Sequence, residues 1–273
     1  MTLIKDMKEF LAVAEVAAMA SGSRIREGWR QAKQIQFKSP VDLVTTIDRQ
    51  SEEIIVDILQ KRFPNHSILA EEETTITGPQ SNHRWIIDPL DGTTNFAHSY
   101  PQFCISIALE REGEIIVGLV YDPLREETFK AIRGLGSFLN DSPIQPSKVA
   151  EVDQALLATG FPYDRREKAS FYLTFLKAFL ISSQGIRRNG SAALDLCYLA
   201  CGRLDGFWEF SLHSWDTAAA SLIVQEAGGV LSDFSGNTFS IWGQETLGSN
   251  GLIHNEMRRI IQEAKHVDSP KVD

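Results

Sequence analysis

The chain has 273 residues, with 43% hydrophobic and 23% charged side chains, a composition typical of a globular protein of one large domain or two packed halves. Its formal net charge of −9 opposes non-specific binding to nucleic acid, which needs a basic surface. Asp6, Glu9 and Glu15 interrupt the apolar residues of the N-terminal segment, and no uninterrupted apolar run of membrane length follows. We therefore expect a cytoplasmic protein without a membrane or nucleic-acid partner.

The three cysteines support the same compartment. Cys104, Cys197 and Cys201 are an odd number, and no secretory signal is expected at the N-terminus, so a reducing environment is predicted. Cys197 and Cys201 share one face of a predicted helix, but no second cysteine or histidine pair has a matching spacing. We interpret both as buried small hydrophobic residues rather than metal ligands.

Two helices open the chain. Apolar residues at helical spacing predict a helix from Met1 to about Gly28, and a short, extended, partly basic stretch follows around Lys33–Pro40. A second helix opens around Asp48 and ends before Pro64. Asp48 stands in the first turn of this helix, where an acidic side chain is also favourable to the helix dipole.

A short strand and an acidic triplet come next. Ser67–Ala70 predicts a strand, and the triplet Glu71, Glu72 and Glu73 directly follows it. By composition such a triplet is a solvated charge run. The polar segment Thr74–His83 is predicted to be a loop.

The segment Trp85–Phe96 combines carboxylates with turn residues. Its apolar start predicts a buried strand that Asp88, standing before Pro89, continues to its end. Pro89 and Gly92 are expected to break this strand, after which a short helix or turn opens. Asp88 and Asp91 then lie three residues apart at a strand end. Such carboxylates bind hard cations and the following N–H groups bind phosphate, although an Asp-Gly pair is equally a turn signal.

The rest of the chain divides near residue 150. Before it, strands at Cys104–Leu109, Ile115–Tyr121 and Thr128–Ala131 predict an antiparallel meander, with Glu112 and Gly113 in the first turn. After it, strands and helices alternate. The predicted elements there are strands at 155–159, 186–188, 205–209 and 230–233 and helices at 168–182, 190–202 and 214–227. We expect an α+β half (1–150) and an α/β half (151–273) packed as one catalytic unit.

Two strings resemble the signatures of the inositol monophosphatase family, the lithium-sensitive, magnesium-dependent sugar phosphatases. They are Trp85-Ile86-Ile87-Asp88-Pro89-Leu90-Asp91-Gly92-Thr93-Thr94-Asn95-Phe96 and, far along the chain, Trp215-Asp216-Thr217-Ala218-Ala219-Ala220 with Glu226-Ala227-Gly228-Gly229. On position alone Asp216 would be an N-cap or first-turn aspartate of a helix, and the cap is favoured. The run Arg187–Leu196 is similar to the bacterial branch. The resemblance implies an α+β fold of layered helices and sheets (α-β-α-β-α) and a homodimer.

The resemblance also implies a site. It assigns two or three Mg²⁺ ions to Glu71, Asp88, the carbonyl of Leu90, Asp91 and Asp216. It assigns the orientation of a metal-activated water to Asp48 and Thr93. Substrate contacts are implied for Asp91, Gly92, Thr93, Ala192, Glu209 and Asp216. Gly92 and Thr93 would hold phosphate through backbone N–H groups, and Glu209 and Ala192 would contact the polyol. The segment Lys38–Thr45 resembles the mobile active-site loop of the family, and Ala70 replaces a usual glycine.

The implied activity is the magnesium-dependent hydrolysis of inositol monophosphate. Fructose 1,6-bisphosphate, a nucleotide 3′-phosphate, NADP and histidinol phosphate are alternative substrates. A regulatory binding protein on the same fold is an alternative function. Arg187 and Arg188 are structural or lie at a subunit interface, and His213 has no assigned role.

Overall fold

The structure, a computed structural model, describes residues 2–29, 35–39, 42–72, 74–79 and 82–267. Met1, Lys33, Pro40 and Glu73, which figure in the sequence predictions, lie outside these residues. No helix in the described part of the chain is both long enough and apolar enough to cross a lipid bilayer.

Seven α-helices and fifteen strands form within the described residues. The helices are α1 (Thr2–Trp29), α2 (Thr46–Arg62), α3 (Thr93–Ala97), α4 (Arg165–Ser182), α5 (Ala192–Ala200), α6 (Ser214–Ala227) and α7 (His254–Val267). The strands are β1 (Ile35–Ser39), β2 (Asp42–Thr45), β3 (Ser67–Ala70), β4 (Thr75–Ile76), β5 (His83–Asp91), β6 (Cys104–Arg111), β7 (Glu114–Asp122), β8 (Glu127–Ile132), β9 (Ser137–Leu139), β10 (Ser142–Pro143), β11 (Leu156–Thr159), β12 (Gly185–Arg187), β13 (Gly206–Phe210), β14 (Val230–Ser232) and β15 (Glu245–Ser249).

These elements pack in five layers. α1 and α2 cover one face of an eight-stranded sheet, and α5 and α6 lie between its other face and a five-stranded sheet. α4 and α7 cover the outer face of the second sheet. Alternating side chains of β5 divide between the first two cores, with Trp85 and Ile87 on the α1/α2 side and Ile86 on the α5/α6 side. The predicted layered α+β fold is confirmed.

The central helix layer packs closely on the first sheet because the facing residues are small. A Cβ atom on Gly118 of β7 would lie 2.5 Å from the carbonyl oxygen of Ala219 in α6. The alanine run of α6 is fully buried at this contact. Small side chains thus let the backbone of α6, which carries Asp216 in its first turn, approach the sheet that carries Asp88 and Asp91.

The first sheet has the order β10-β9-β8-β7-β6-β5-β3-β4. From β5 onward it is the predicted antiparallel meander, and Glu112 and Gly113, both with positive φ, form the β6–β7 turn. β3 runs parallel to β5, so the carboxyl ends of these two strands meet at one edge. The second sheet has the order β12-β11-β13-β15-β14 and mixes parallel with antiparallel pairs. β15 and α7 complete this half and are not among the predicted elements.

Two sequence predictions are wrong. Pro89 does not break β5, because the register against β6 shifts between Asp88 and Asp91 and the strand continues through the irregularity. A proline is tolerated where the ladder requires no N–H donor. The loop predicted from Thr74 to His83 is also shorter than expected, since the β-branched pair Thr75–Ile76 forms an edge strand on β3 and His83 begins β5.

Candidate active site

The carboxyl ends of β3 and β5 bring three predicted metal ligands to one edge of the first sheet. Glu71 follows β3 directly, and its backbone N–H donates to the Ile87 carbonyl of β5 at 3.1 Å. Asp88 is 1% exposed, and its Oδ1 accepts a hydrogen bond from the Leu90 N–H at 2.9 Å. Asp91 closes the strand. These three residues and Leu90 line one cavity.

The first turns of α2 and α3 meet beside these carboxylates. The Thr93 hydroxyl lies 2.8 Å from Asp48 Oδ1 and 3.0 Å from the Leu90 carbonyl oxygen. Asp48 is 1% exposed, and it lies behind Thr93 rather than among the residues that line the cavity. The predicted partnership of Asp48 with Thr93 is therefore present as a direct hydrogen bond.

Asp91 joins the two halves of the chain. Its Oδ2 accepts hydrogen bonds from the Ser191 hydroxyl at 2.6 Å and from the Ala193 N–H at 2.8 Å. Ser191 is the N-cap of α5, so the carboxylate of β5 sits on the first turn of a helix from the other half. The Sγ atom of the buried Cys104 lies 3.8 Å from the same oxygen. One oxygen of Asp91 is thus fixed by protein donors.

Asp216 enters the cavity from the first turn of α6. Its Oδ2 accepts a hydrogen bond from the His213 N–H at 2.7 Å, and the His213 ring stacks on Trp215 with a centroid distance of 4.8 Å. Asp216 is therefore a first-turn helix residue, as its position predicts. It also lines the same cavity as Glu71, Asp88 and Asp91.

The four carboxylates repel one another when ionised, so each opposes the ionisation of its neighbours. Burial raises the pKa of Asp88 well above its ordinary value, and the nearby Glu71, Asp91 and Asp216 carboxylates raise it further. Burial, then Asp91 and Glu71, raise the pKa of Asp216 in the same way. Burial also raises the pKa of Asp91, although the hydrogen bond from Ser191 acts in the opposite direction. A bound cation would remove this repulsion.

The donor set suits a hard divalent cation. It consists of four carboxylates and the Leu90 carbonyl, all oxygen donors of the kind that Mg²⁺ prefers. No group of three or more His, Cys, Asp or Glu side chains within the described residues already has the arrangement of a metal shell. Asp88 and Asp216 accept backbone hydrogen bonds instead. Each of these two hydrogen bonds occupies one carboxylate oxygen and leaves the other, so the residues fit the ion chemically.

The C-terminal half supplies the remaining wall. Glu209 of β13 is 9% exposed and lies directly under the loop after β11, where a Cβ atom on Gly160 would approach its Oε1 to 2.1 Å. Burial raises the pKa of Glu209 to about 8, which the positive charge of Arg188 partly opposes. Ala192, the first residue of α5, lines the same wall. Both predicted polyol contacts thus lie on the cavity that holds the carboxylate cluster.

Sequence reasoning missed several residues of this wall. Asp195 lines the cavity, accepts a hydrogen bond from Asn189 Nδ2 at 2.6 Å, and has a pKa raised by burial to about 7. Arg188 and Arg165 also line it. Ser191, which holds Asp91, could have been identified as the N-cap of the predicted small-residue helix. Its contact with Asp91 could not, because 100 positions separate the two residues.

Comparison with known proteins identifies the family to which this fold belongs. The profile of the inositol monophosphatase family matches residues 6–268. The chain is 45% identical over 263 residues to the inositol-1-monophosphatase of Synechocystis sp., which covers 94% of this chain and 90% of the relative. It is 41% identical over 232 residues to Nus factor SuhB of Pasteurella multocida, covering 84% of this chain and 87% of that protein. The extragenic suppressor protein suhB of Bartonella henselae, a solved structure at 39% identity, superposes with a TM-score of 0.90 over 93% of this chain and 99% of its own.

The fold and the site together define a phosphoric monoester hydrolase. The chain belongs to the inositol monophosphatase family.

Proposed function

We propose that this protein hydrolyses inositol monophosphate to inositol and phosphate in a magnesium-dependent reaction. The observation that carries the proposal is that four carboxylates, the buried carboxyl group of Glu209 and Thr93, which is hydrogen-bonded to Asp48 behind it, line one cavity. The proposed Mg²⁺ ligands are Glu71, Asp88, the Leu90 carbonyl, Asp91 and Asp216, with two or three ions per site. When bound, Mg²⁺ would neutralise these carboxylates and the charge that develops on the phosphoryl group.

The Asp48–Thr93 pair is suited to orienting the attacking water. The single hydroxyl hydrogen of Thr93 faces two acceptors, Asp48 and the Leu90 carbonyl. Donation to Asp48 frees the Leu90 carbonyl to bind a cation and leaves lone pairs on the Thr93 oxygen for a water proton. The water oxygen then bonds to phosphorus, the ester P–O bond breaks, and a proton passes to the departing polyol oxygen.

The other proposed substrate contacts lie around this pair. The N–H groups at the start of α3 have no partner inside the helix, so Gly92 and Thr93 are suited to phosphate oxygens. Glu209 and Ala192 face the region next to them and are proposed to bind polyol hydroxyls, with Asp91 and Asp216 at the boundary. A carboxyl group with a pKa of about 8 both donates and accepts hydrogen bonds near neutral pH, which suits a hydroxyl group.

A substrate panel tests this function. Phosphate release would be measured with and without Mg²⁺ from inositol 1-phosphate, fructose 1,6-bisphosphate, adenosine 3′,5′-bisphosphate, NADP and histidinol phosphate. We expect magnesium-dependent release that is fastest from inositol 1-phosphate. Faster release from another compound would overturn the substrate and keep the site. No release from any compound, with metal bound, would overturn the catalytic proposal.

Three further properties belong to the proposal. We expect millimolar lithium to inhibit turnover, and undiminished turnover would contradict the proposed metal site.

We also expect a homodimer. The apolar side chains of Leu180 and Ile181 on α4, which are 65% and 74% exposed, support this expectation, and light scattering would test it. The described cysteines are free thiols, which supports the reducing cytoplasm as the compartment.

A regulatory binding role is a second candidate. It is supported by relatives at 41–42% identity that bear the name Nus factor SuhB. Asp88→Asn separates the two functions, because it removes a proposed metal ligand without altering the surface. A binding role would survive this change, whereas phosphate release would not.

A further inference from the structure

The buried face of α2 is polar in its first turns and apolar further along the helix. Ser51 and Glu52 follow Asp48 by three and four positions, so the three side chains share this face, and they are 0%, 3% and 1% exposed, respectively. Ile55 and Leu59 continue the face and are fully buried in the core between α2 and the first sheet. A buried polar side chain costs free energy unless it has hydrogen-bond partners, so the three polar residues require specific contacts.

Glu52 holds the turn that follows β3. Its Oε2 accepts a hydrogen bond from the Glu72 N–H at 2.9 Å, and its Oε1 accepts one from the Thr74 N–H at 2.9 Å. The Ala70 N–H donates to the Thr74 carbonyl oxygen at 2.9 Å and closes the same turn. Glu71, a proposed Mg²⁺ ligand, lies inside this turn. Its position therefore depends on the carboxylate of Glu52.

Ser51 holds the irregular part of β5. Pro89 and Leu90 lie where the register against β6 shifts, so the regular ladder is interrupted at these two residues. The Ser51 hydroxyl donates to the Pro89 carbonyl oxygen at 2.7 Å, and the Ser21 hydroxyl of α1 lies 2.5 Å from Ser51 Oγ. Because Ser51 gives its single hydrogen to Pro89, Ser21 is the donor to Ser51. The Pro89–Leu90 peptide, next to the proposed carbonyl ligand, is thus fixed from α2.

Three residues of one helix face therefore hold three segments of the site. Asp48 binds the start of α3, Ser51 binds β5, and Glu52 binds the turn after β3. Asp91 is held separately, because its hydrogen bond comes from Ser191 at the start of α5. The two helices α2 and α5 thus position different members of the proposed ligand set.

We propose that Glu52 and Ser51 are positioning residues for magnesium binding, with Glu52 acting through Glu71 and Ser51 acting through the Pro89–Leu90 peptide. Both side chains lie behind the residues that line the cavity, so they act on the ligands rather than on the ion or the substrate. This inference rests on the proposed metal site and deepens it. Partners that orient metal ligands commonly change metal affinity by one or two orders of magnitude.

Calorimetric titration with Mg²⁺, in the absence of substrate, tests the role of Glu52. Glu52→Gln keeps the size of the side chain and one acceptor oxygen, but it places an NH₂ group against one of the two backbone N–H donors. We expect its Kd for Mg²⁺ to rise about tenfold. The control is Glu53→Gln, which removes the same charge from the adjacent, exposed position of the helix and should keep the wild-type Kd. Equal Kd values for the two variants would overturn the role of Glu52.

A double-mutant cycle separates positioning of Glu71 from a general structural effect. In a Glu71→Gln background the ligand that Glu52 positions is already impaired, so Glu52→Gln should raise the Kd by less than about twofold. In a Ser191→Ala background it should still raise the Kd about tenfold, because Ser191 acts on Asp91. The same increase in both backgrounds would show that Glu52 does not act through Glu71.

The two buried serines provide an independent test. Ser51→Ala should raise the Kd for Mg²⁺ several-fold, because it releases the Pro89 carbonyl. Ser21→Ala removes a buried hydroxyl one step further from the site and leaves the bond from Ser51 to Pro89, so it should keep the wild-type Kd. Equal effects of the two variants would overturn the role of Ser51. Circular dichroism without Mg²⁺ verifies the fold, and the serine pair still decides the proposal if Glu52→Gln does not fold.

This inference and the proposed function fail in different ways. If the wild type binds Mg²⁺ and releases phosphate, but Glu52→Gln and Ser51→Ala bind the ion like their controls, the positioning roles alone are wrong. If the wild type binds Mg²⁺ but releases no phosphate, the proposed reaction is wrong and the calorimetric comparison still decides the positioning roles. If the wild type binds no Mg²⁺ at millimolar concentration, the metal site and this inference are both wrong.

Discussion

At the scale of single residues, the hydrogen bond between Thr93 and Asp48 is the contact on which the proposed chemistry depends most directly. It joins side chains 45 positions apart across two helix starts, and Asp48 is buried while Thr93 faces the cavity. Sequence alone identified both residues only through resemblance to a family. The position of Asp48 in the first turn of α2 is equally explained by the helix dipole.

We predict that Thr93→Ala and Asp48→Asn each lower kcat by about 10²–10⁴-fold with a small change in KM, because both act on the orientation of the water. The double variant should lose little more than either single variant, since the two residues act as one unit. Steady-state kinetics on folded variants, verified by circular dichroism, measures this. Additive losses would show that the residues act separately.

At the scale of secondary-structure elements, the site depends on how helix and strand ends are held. The capped start of α5 fixes Asp91, and the start of α3 is set by Gly92, whose φ is +98°. The strand–turn–helix order around Gly92 was predicted from the residues. The docking of α5 on Asp91 was not, because local pattern carries no information on which distant helix meets a strand end.

We predict that Ser191→Ala weakens magnesium activation several-fold and lowers stability by about 1 kcal/mol, the usual loss for an N-cap. The reason is that Ser191 both caps α5 and donates to Asp91 Oδ2. The control is Ser221→Ala, which removes a buried hydroxyl that donates to the Ala218 carbonyl at 2.8 Å. Thermal unfolding and the Mg²⁺ concentration for half-maximal activity are the readouts. Equal effects of the two variants on that concentration would contradict the role of Ser191.

Gly92 allows a second prediction at this scale. A Cβ atom there would lie 2.8 Å from the Gln102 carbonyl oxygen, whereas Gly113, with φ of +85°, has nothing within 4 Å. Gly113→Ala should therefore cost about 1–2 kcal/mol from backbone strain alone. Gly92→Ala should cost more and also lower kcat, because it displaces the start of α3. Chemical denaturation compares the two, and equal costs would mean that the contact with Gln102 is not limiting.

At the scale of the whole molecule, the five layers place the cavity where both halves of the chain contribute side chains. The layers follow from patterns that the sequence shows, such as the alternation in β5 and the alanine run in α6. The continuation of β5 through Pro89 and the final β15–α7 unit did not follow from these patterns. The first depends on a local register shift and the second on pairing with a strand more than thirty positions away.

His254 makes the stability of the second half depend on pH. It is 7% exposed, and its ring lies 2.9 Å from both the Ser232 and Ser249 hydroxyls, linking β14, β15 and α7. Burial, with a smaller effect of Arg258, lowers its pKa from 6.5 to about 4. In the unfolded chain His254 therefore binds a proton near pH 6.5. In the folded chain it binds this proton only near pH 4. This contribution to stability is present above pH 6.5 and is lost as the pH falls from 6.5 towards 4.

We predict that His254→Gln lowers Tm at pH 7.5 and that its Tm falls less steeply than that of the wild type between pH 6.5 and 4. Burial also lowers the pKa of His66 to about 4. Since His66 is present in both proteins, it contributes the same pH dependence of Tm to each. The exposed His98→Gln is the control. Parallel Tm curves for the wild type and His254→Gln would contradict the assignment.

The most direct test of the account is phosphate release from inositol 1-phosphate as a function of Mg²⁺ concentration, for the wild type and Asp88→Asn. Asp88 is buried at the centre of the carboxylate cluster, and the substitution keeps its size while removing its charge. We predict that wild-type release requires Mg²⁺ and that Asp88→Asn, while still folded, releases no phosphate at Mg²⁺ levels that saturate the wild type. Equal release with and without Mg²⁺, or full activity of Asp88→Asn, would contradict the assignment of this cluster as the catalytic metal site.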